Sequence, residues 1–179
     1  MGAPSFPLIM NKTLLISESA IAQKVTEMAA RLNREYANTP LTIVAILKGA
    51  FCLLADLIRK LDMPVEIEFI QASSYGMRGT TPGPLELHGT ESFNVAGKHV
   101  VLLDDIYDTG ATISKACHAL QKQQPKTLKT CVLLKKKRAP EGDVTPDYVC
   151  FDIEDHFVVG YGLDYKEQGR GLKAIYAVT

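Results

Sequence analysis

Residues 100–113, VVLLDDIYDTGATI, decide the fold. Val100, Val101, Leu102 and Leu103 form a short apolar run of the kind that suits a central parallel strand covered by helices on both faces. Asp104 and Asp105 follow at its carboxyl end. Open α/β sheets bind ligands there, so the two carboxylates are placed to accept sugar hydroxyls or to hold a divalent cation through water. Asp108, Thr109, Gly110, Ala111 and Thr112 are then small and rich in hydroxyls, and Ile113, Ala116, Cys117 and Leu120 recur at helical spacing. The loop therefore opens a helix. Its exposed backbone N–H groups and positive dipole end make an anion site, with the Thr109 and Thr112 hydroxyls as further donors. Taken singly, the acids can merely end a strand, and Asp108 or Thr109 can merely cap a helix. The whole string in this order points to chemistry on a phosphorylated sugar.

Outward from this stretch, strand and helix signals alternate. Ile21, Val25, Met28, Ala29 and Leu32 recur at helical spacing after Ser17 and Ser19, either of which can cap, predicting a helix to about Asn33. Residues 41–47 read as an apolar strand. Lys48-Gly49 turns it into a second helix marked by Phe51, Leu54, Leu57, Ile58 and Leu61. Val65, Ile67, Phe69 and Gln71 alternate with Glu66, Glu68 and Ile70, as in a half-exposed strand. Residues 73–97 carry Gly76, Gly79, Pro82, Gly83, Pro84, Gly89 and Gly97 with no long hydrophobic period. That predicts a long flexible active-site loop, with a short hairpin over 85–93 as the alternative for part of it. Strands near 130–134 and 148–153 and a tail from His156 complete the chain. The alternation predicts an α/β fold with a largely parallel central sheet flanked by helices. At 179 residues the chain fits a single domain, 1–179.

Twenty basic and twenty acidic residues cancel, so nothing in the charge calls for nucleic acid or an anionic membrane. Small molecules and other subunits are the expected partners. Cys52, Cys117, Cys131 and Cys150 are far apart in apolar contexts and read as free buried thiols of a reducing compartment. His88, His99, His118 and His156 are dispersed and form no zinc pattern. The start of the chain lacks a basic segment followed by an apolar core, and no run approaches the length of a membrane span, so a cytoplasmic protein is expected. The G-x-x-x-x-G-K-[ST] phosphate loop is absent, and no G-x-G-x-x-G follows a strand.

The string at 100–113 closely resembles the phosphoribosyl pyrophosphate (PRPP) signature of the type I phosphoribosyltransferases: apolar residues, two acids, two further residues, then Asp/Thr-Thr-Gly-x-Thr. Four more segments extend the resemblance over nearly the whole chain and draw it closest to the hypoxanthine-guanine phosphoribosyltransferases. Leu47-Lys48-Gly49 matches that family's pyrophosphate turn, and Ser74-Tyr75 its flexible-loop pair. Leu133-Leu134-Lys135-Lys136 matches the base-recognition strand end. FVVGYGLDY, residues 157–165, followed by Arg170, matches the C-terminal purine and metal segment.

The resemblance implies the type I fold, with a small hood built from the terminal segments. It implies purine salvage by Mg2+-dependent transfer of 5-phosphoribosyl from PRPP to N9 of hypoxanthine or guanine, giving IMP or GMP and pyrophosphate. Homodimers or homotetramers are expected. Two alternatives stay open: an enzyme preferring xanthine, and a PRPP-sensing RNA-binding regulator, which would be expected to show a basic face.

Residue by residue, the resemblance assigns PRPP to Leu47, Lys48, Gly49, Ser74, Tyr75, Asp104, Asp105, Arg170 and the loop Asp108, Thr109, Gly110, Ala111, Thr112. A cis peptide is implied at Leu47-Lys48. The resemblance makes Asp108 the catalytic residue, exchanging a proton with N7 of the base. Asp164, Asp104 and Asp105 serve Mg2+, directly or through water and ribose hydroxyls. Lys136, Phe157, Val158 and Asp164 meet the 6-oxopurine. Counting without gaps back from Asp164 puts the lysine for O6 at Lys136, whereas aligning on Lys-Arg-x-Pro chooses Lys137; Lys136 is taken here. Two departures stand out: Asp104 where many relatives have Glu, and Ala111 where some carry Lys.

Overall fold

In the computed structural model the described residues are 11–74, 85–137 and 143–178. The elements, in chain order, are β1 (Lys12–Ile16), α1 (Glu18–Glu35), β2 (Leu41–Leu47), α2 (Phe51–Ile58), β3 (Val65–Ser74), β4 (Leu85–His88), β5 (His99–Tyr107), α3 (Ala111–Gln121), β6 (Thr127–Lys136), β7 (Tyr148–Ile153), β8 (Phe157–Val159) and β9 (Ile175–Val178).

Ser17 starts α1: its hydroxyl accepts from the Ala20 N–H at 3.2 Å, while the expected apolar positions Ile21, Val25, Met28, Ala29 and Leu32 are all buried. The central sheet runs in the order β4-β3-β2-β5-β6-β7, with every pair parallel except β3–β4. Alternation along its strands divides the core in two. Ile43, Ala45, Val101, Leu103 and Leu133 cluster with the buried faces of α1 and α2. Val44, Ile46, Val100, Leu102 and Val132 cluster with Ile113, Ala116, Cys117 and Leu120 of α3. Burial on both faces explains why β2 and β5 read as unbroken apolar runs.

The chain steps from β2 outward to β3, then returns past β2 to continue through β5 and β6 on the other side. The carboxyl ends of β2 and β5 thus flank the point where the strand order reverses, the place where such sheets bind ligands. All four cysteines are free, and all but the half-buried Cys52 are buried. Among the described residues no helix is long and apolar enough to cross a membrane.

Several expectations need correction. α1 runs on to Glu35, past Asn33. α2 ends at Ile58, and Leu61 packs against the core from beyond the helix. The stretch 73–97 is not loop throughout: β3 extends to Ser74, and Leu85–His88 pairs antiparallel with it. Residues 75–84, including Tyr75, lie outside the described residues. The tail from His156 forms β8 and β9, which pair antiparallel with each other and with β1 in a three-stranded sheet. This is the hood of terminal segments, and Ile16, Val158 and Ile175 root it in the α1–α2 core.

Candidate active site

The turn after β2 packs onto the acids of β5. The Leu47–Lys48 peptide bond is cis. A Cβ on Gly49 would lie 1.6 Å from Asp105 Oδ2, so only glycine lets the turn sit against the acid pair. Asp104 is 5% exposed and accepts the Asp105 N–H at 3.0 Å. Burial, reinforced by the neighbouring Asp105 carboxylate, holds the Asp104 carboxyl well above the usual range, and burial raises Asp105 as well. Among the described residues neither acid forms an ion pair. Gly110 caps α3 with no side-chain hydrogen bond of its own, while Thr109 Oγ1 accepts the Ala111 N–H at 3.4 Å at the end of β5.

From the hood side, residues 160–170 close the cradle. Gly162, at φ 101°, rests so near the β2–α2 turn that a Cβ would stand 2.1 Å from the Gly49 carbonyl oxygen. Arg170 donates from Nη1 to the Gly162 carbonyl at 2.8 Å and from Nη2 to Asp164 Oδ1 at 2.7 Å. Lys48 Nζ lies 3.1 Å from Glu167 Oε2. These groups enclose a cavity of about 290 Å³, lined by Leu47, Lys48, Gly49, Asp104, Asp105, Asp108, Thr109, Gly110, Thr112, Asp164 and Arg170.

A second cavity, of about 220 Å³, adjoins it and shares Asp105, Asp108 and Asp164 with the first. Lys136, His156, Phe157 and Val158 supply its other side. Lys136 is only 13% exposed, with Nζ 2.9 Å from Asp155 Oδ1 and 3.2 Å from Asp108 Oδ2. Burial works against its charge, but these two carboxylates more than offset burial and raise its pKa. Lys137 instead pairs with Glu154 at 2.5 Å and lines neither cavity. Phe157 is 52% exposed, its ring edge-on to Tyr165 at 5.4 Å between centroids.

Most of the residues singled out from the sequence therefore converge on two adjoining compartments. Ala111 does not: it lines an outer groove between α3 and β4. Ser74 ends β3 at the edge of the described chain. Sequence reasoning missed His156, Tyr165, Asp155 and Glu167. Tyr165 lay inside the quoted segment and its aromatic ring was a usable signal; the two acids gave none, because their partners are distant in the chain.

The donor set fits a hard cation such as Mg2+. The buried Asp104, the half-buried Asp105 and Asp164 line the first cavity. Among the described residues no three His, Cys, Asp or Glu side chains are placed to enclose a metal. Mg2+ needs no such cage, since it keeps water and takes one or two carboxylates together with substrate phosphates.

The profile of the phosphoribosyl transferase domain matches residues 15–166. A hypoxanthine-guanine phosphoribosyltransferase of Aquifex aeolicus is 42% identical over 166 residues, covering 92% of this chain and 93% of that protein. The crystal structure of a hypoxanthine-guanine phosphoribosyltransferase from Bacillus anthracis superposes with a TM-score of 0.86 at 40% identity, covering 94% of this chain and 99% of the other. The hypoxanthine phosphoribosyltransferase of Trypanosoma cruzi, solved in complex with the product IMP, gives 0.85 at 33% identity and covers 98% of both chains.

Proposed function

The chain belongs to the phosphoribosyl transferase family, among its hypoxanthine-guanine members of purine salvage, and from that membership we propose that it transfers 5-phosphoribosyl from PRPP to N9 of hypoxanthine or guanine with Mg2+. One observation carries the reading: Asp105, Asp108 and Asp164 line both cavities, and of these Asp108 pairs with Lys136, so its carboxylate borders a phosphate cradle and an aromatic-walled pocket at once.

In this reading the base lies against Phe157 in the smaller cavity, and base–aromatic stacking of this kind is typically worth about 1 to 3 kcal/mol. Lys136 donates to O6. Adenine carries a donor at that position, so it would leave the ammonium unmatched, and the pocket selects 6-oxopurines. The backbone at Val158 meets the edge bearing position 2. Asp108 exchanges the N7 proton as N9 bonds to the sugar carbon.

In the larger cavity the loop from Asp108 to Thr112 takes the 5-phosphate through backbone N–H groups and the two threonine hydroxyls. Asp104 and Asp105 accept the ribose hydroxyls. Lys48 and Arg170 bind the departing pyrophosphate, Arg170 offering a planar fork to its oxygens. Asp164, together with the hydroxyls that Asp104 and Asp105 orient, would hold Mg2+, which would supply charge neutralisation on the leaving group.

The test is to mix the protein with hypoxanthine and PRPP and follow IMP by absorbance, with Mg2+ present and again with excess chelator. IMP only when Mg2+ is present is expected; no IMP in either case would remove the assignment.

A further inference from the structure

Lys48 and Arg170, the two cations assigned above to pyrophosphate, are both engaged by one carboxylate. Glu167 Oε2 lies 3.1 Å from Lys48 Nζ, and Glu167 Oε1 lies 3.4 Å from Arg170 Nη2. Resting on that assignment, we propose that Glu167 is an internal substitute for pyrophosphate: it neutralises the cradle while the site is empty and must be displaced by the anion. It thereby sets how tightly PRPP and pyrophosphate are held.

The backbone is arranged to present this side chain. Tyr165 and Gln168 exchange N–H···O bonds of 2.9 and 3.0 Å, and between them Lys166 and Glu167 have φ of 50° and 62°. A tight turn with both central residues left-handed normally takes Asn-Gly, because other L-residues rarely adopt that conformation. The Glu167 N–H also donates to Asp164 Oδ2 at 2.7 Å, tying the turn to the same carboxylate that grips Arg170. The carboxylate is thus delivered to the cationic edge of the larger cavity by a turn whose own residues do not favour it.

Charge completes the argument. Lys48 is paired with Glu167 and Arg170 with Asp164 and Glu167, in a cavity that Asp104, Asp105 and Asp108 also line, so the cradle carries no surplus attraction for a weakly charged anion. Pyrophosphate brings several negative charges and can outcompete a single carboxylate. Glu167 is 67% exposed and Lys48 63%, so the acid can swing into water without disturbing the core. Exposed pairs of this sort are individually weak, which keeps displacement easy and the effect to a factor of a few for each pair. The same competition would help pyrophosphate leave after transfer.

Glu167→Gln keeps the side chain's shape and removes its charge. Titrating pyrophosphate calorimetrically into wild type and variant at fixed Mg2+ should show binding tightened roughly three- to tenfold in the variant. KM for PRPP should fall by a similar factor while KM for hypoxanthine stays put. Glu167→Asn, whose side chain tolerates the left-handed backbone, should behave the same way. Unchanged or weaker pyrophosphate binding in both variants, with wild type binding normally, would overturn the proposal, since a residue that only braces the turn would lose affinity when altered. If wild type itself binds no pyrophosphate, the assignment of Lys48 and Arg170 fails and takes the proposal with it.

Discussion

Lys136 Nζ stands 3.2 Å from Asp108 Oδ2, so the group read as the O6 donor and the group read as the N7 proton acceptor are joined before any base arrives. An entering 6-oxopurine presents O6 and N7 on one edge and can take both partners at once. The lysine stays neutralised meanwhile, because Asp155 holds it from the other side at 2.9 Å.

Replacing Asp108 by Asn should therefore leave the loop and most of the PRPP affinity in place while removing the proton acceptor. A fall in kcat of about 10²- to 10⁴-fold is expected, with KM for PRPP moved only a few-fold. Steady-state kinetics check this, and wild-type turnover would cancel the role.

Lys136→Ala should cut the preference for hypoxanthine over adenine by about 10- to 100-fold, since an unmatched buried donor is what rejects the wrong base. Lys137→Ala, at an ion pair outside the cavities, should leave that ratio unchanged. Competition between the two bases measures it; the opposite pattern would move the role to Lys137.

Asp104 bears on stability as well as function. Its carboxyl titrates above the ordinary value near 4 because it is buried beside Asp105, so the folded chain holds that proton more firmly than the unfolded one. Stability must then fall as pH rises from about 4 through the raised folded value, and the penalty is fully present above it. Asp104→Asn should raise stability at neutral pH by about 1 to 2 kcal/mol, or roughly 2 to 8 °C in Tm, with the gain vanishing below about pH 4. Catalysis should drop in the same variant. Thermal melts across pH would show it, and an equal gain at pH 3 would mean that the acid's charge is not the cause.

Gly49→Ala would drive a methyl group into Asp105 Oδ2 at 1.6 Å, so the turn or the acid pair must move. Activity should fall at least about 100-fold, because misplacement by about an ångström costs that much where groups are held for reaction. Gly171→Ala meets nothing within 4 Å and should stay within about twofold of wild type. Parallel kinetics on the two variants separate crowding from a general intolerance of glycine replacement.

The parts of this molecule that were legible in sequence are those whose evidence is contiguous. β5, its acids, the loop and α3 occupy one run of the chain, and burial on both faces makes the strand an apolar block. The hood was opaque to periodicity because Lys12 pairs with Val178 across nearly the full length, and its strands have three to five residues each. Leu61 extended the apparent period of α2 because it serves the same core from outside the helix. The choice between Lys136 and Lys137 turned on register. Lys136 is the last residue of β6, paired with Ile153, and a slip of one residue would send the wrong side chain to the pocket. Glu167 was invisible because its meaning lies in Lys48, 119 positions away.

The most direct single measurement is a base panel: purified protein with Mg2+ and PRPP, given hypoxanthine, guanine, xanthine, adenine or uracil in turn, with nucleotide formation followed by absorbance. IMP and GMP without AMP or UMP are expected. AMP formed as readily as IMP, or no nucleotide from any base, would contradict the 6-oxopurine site built from Lys136, Phe157 and Asp108.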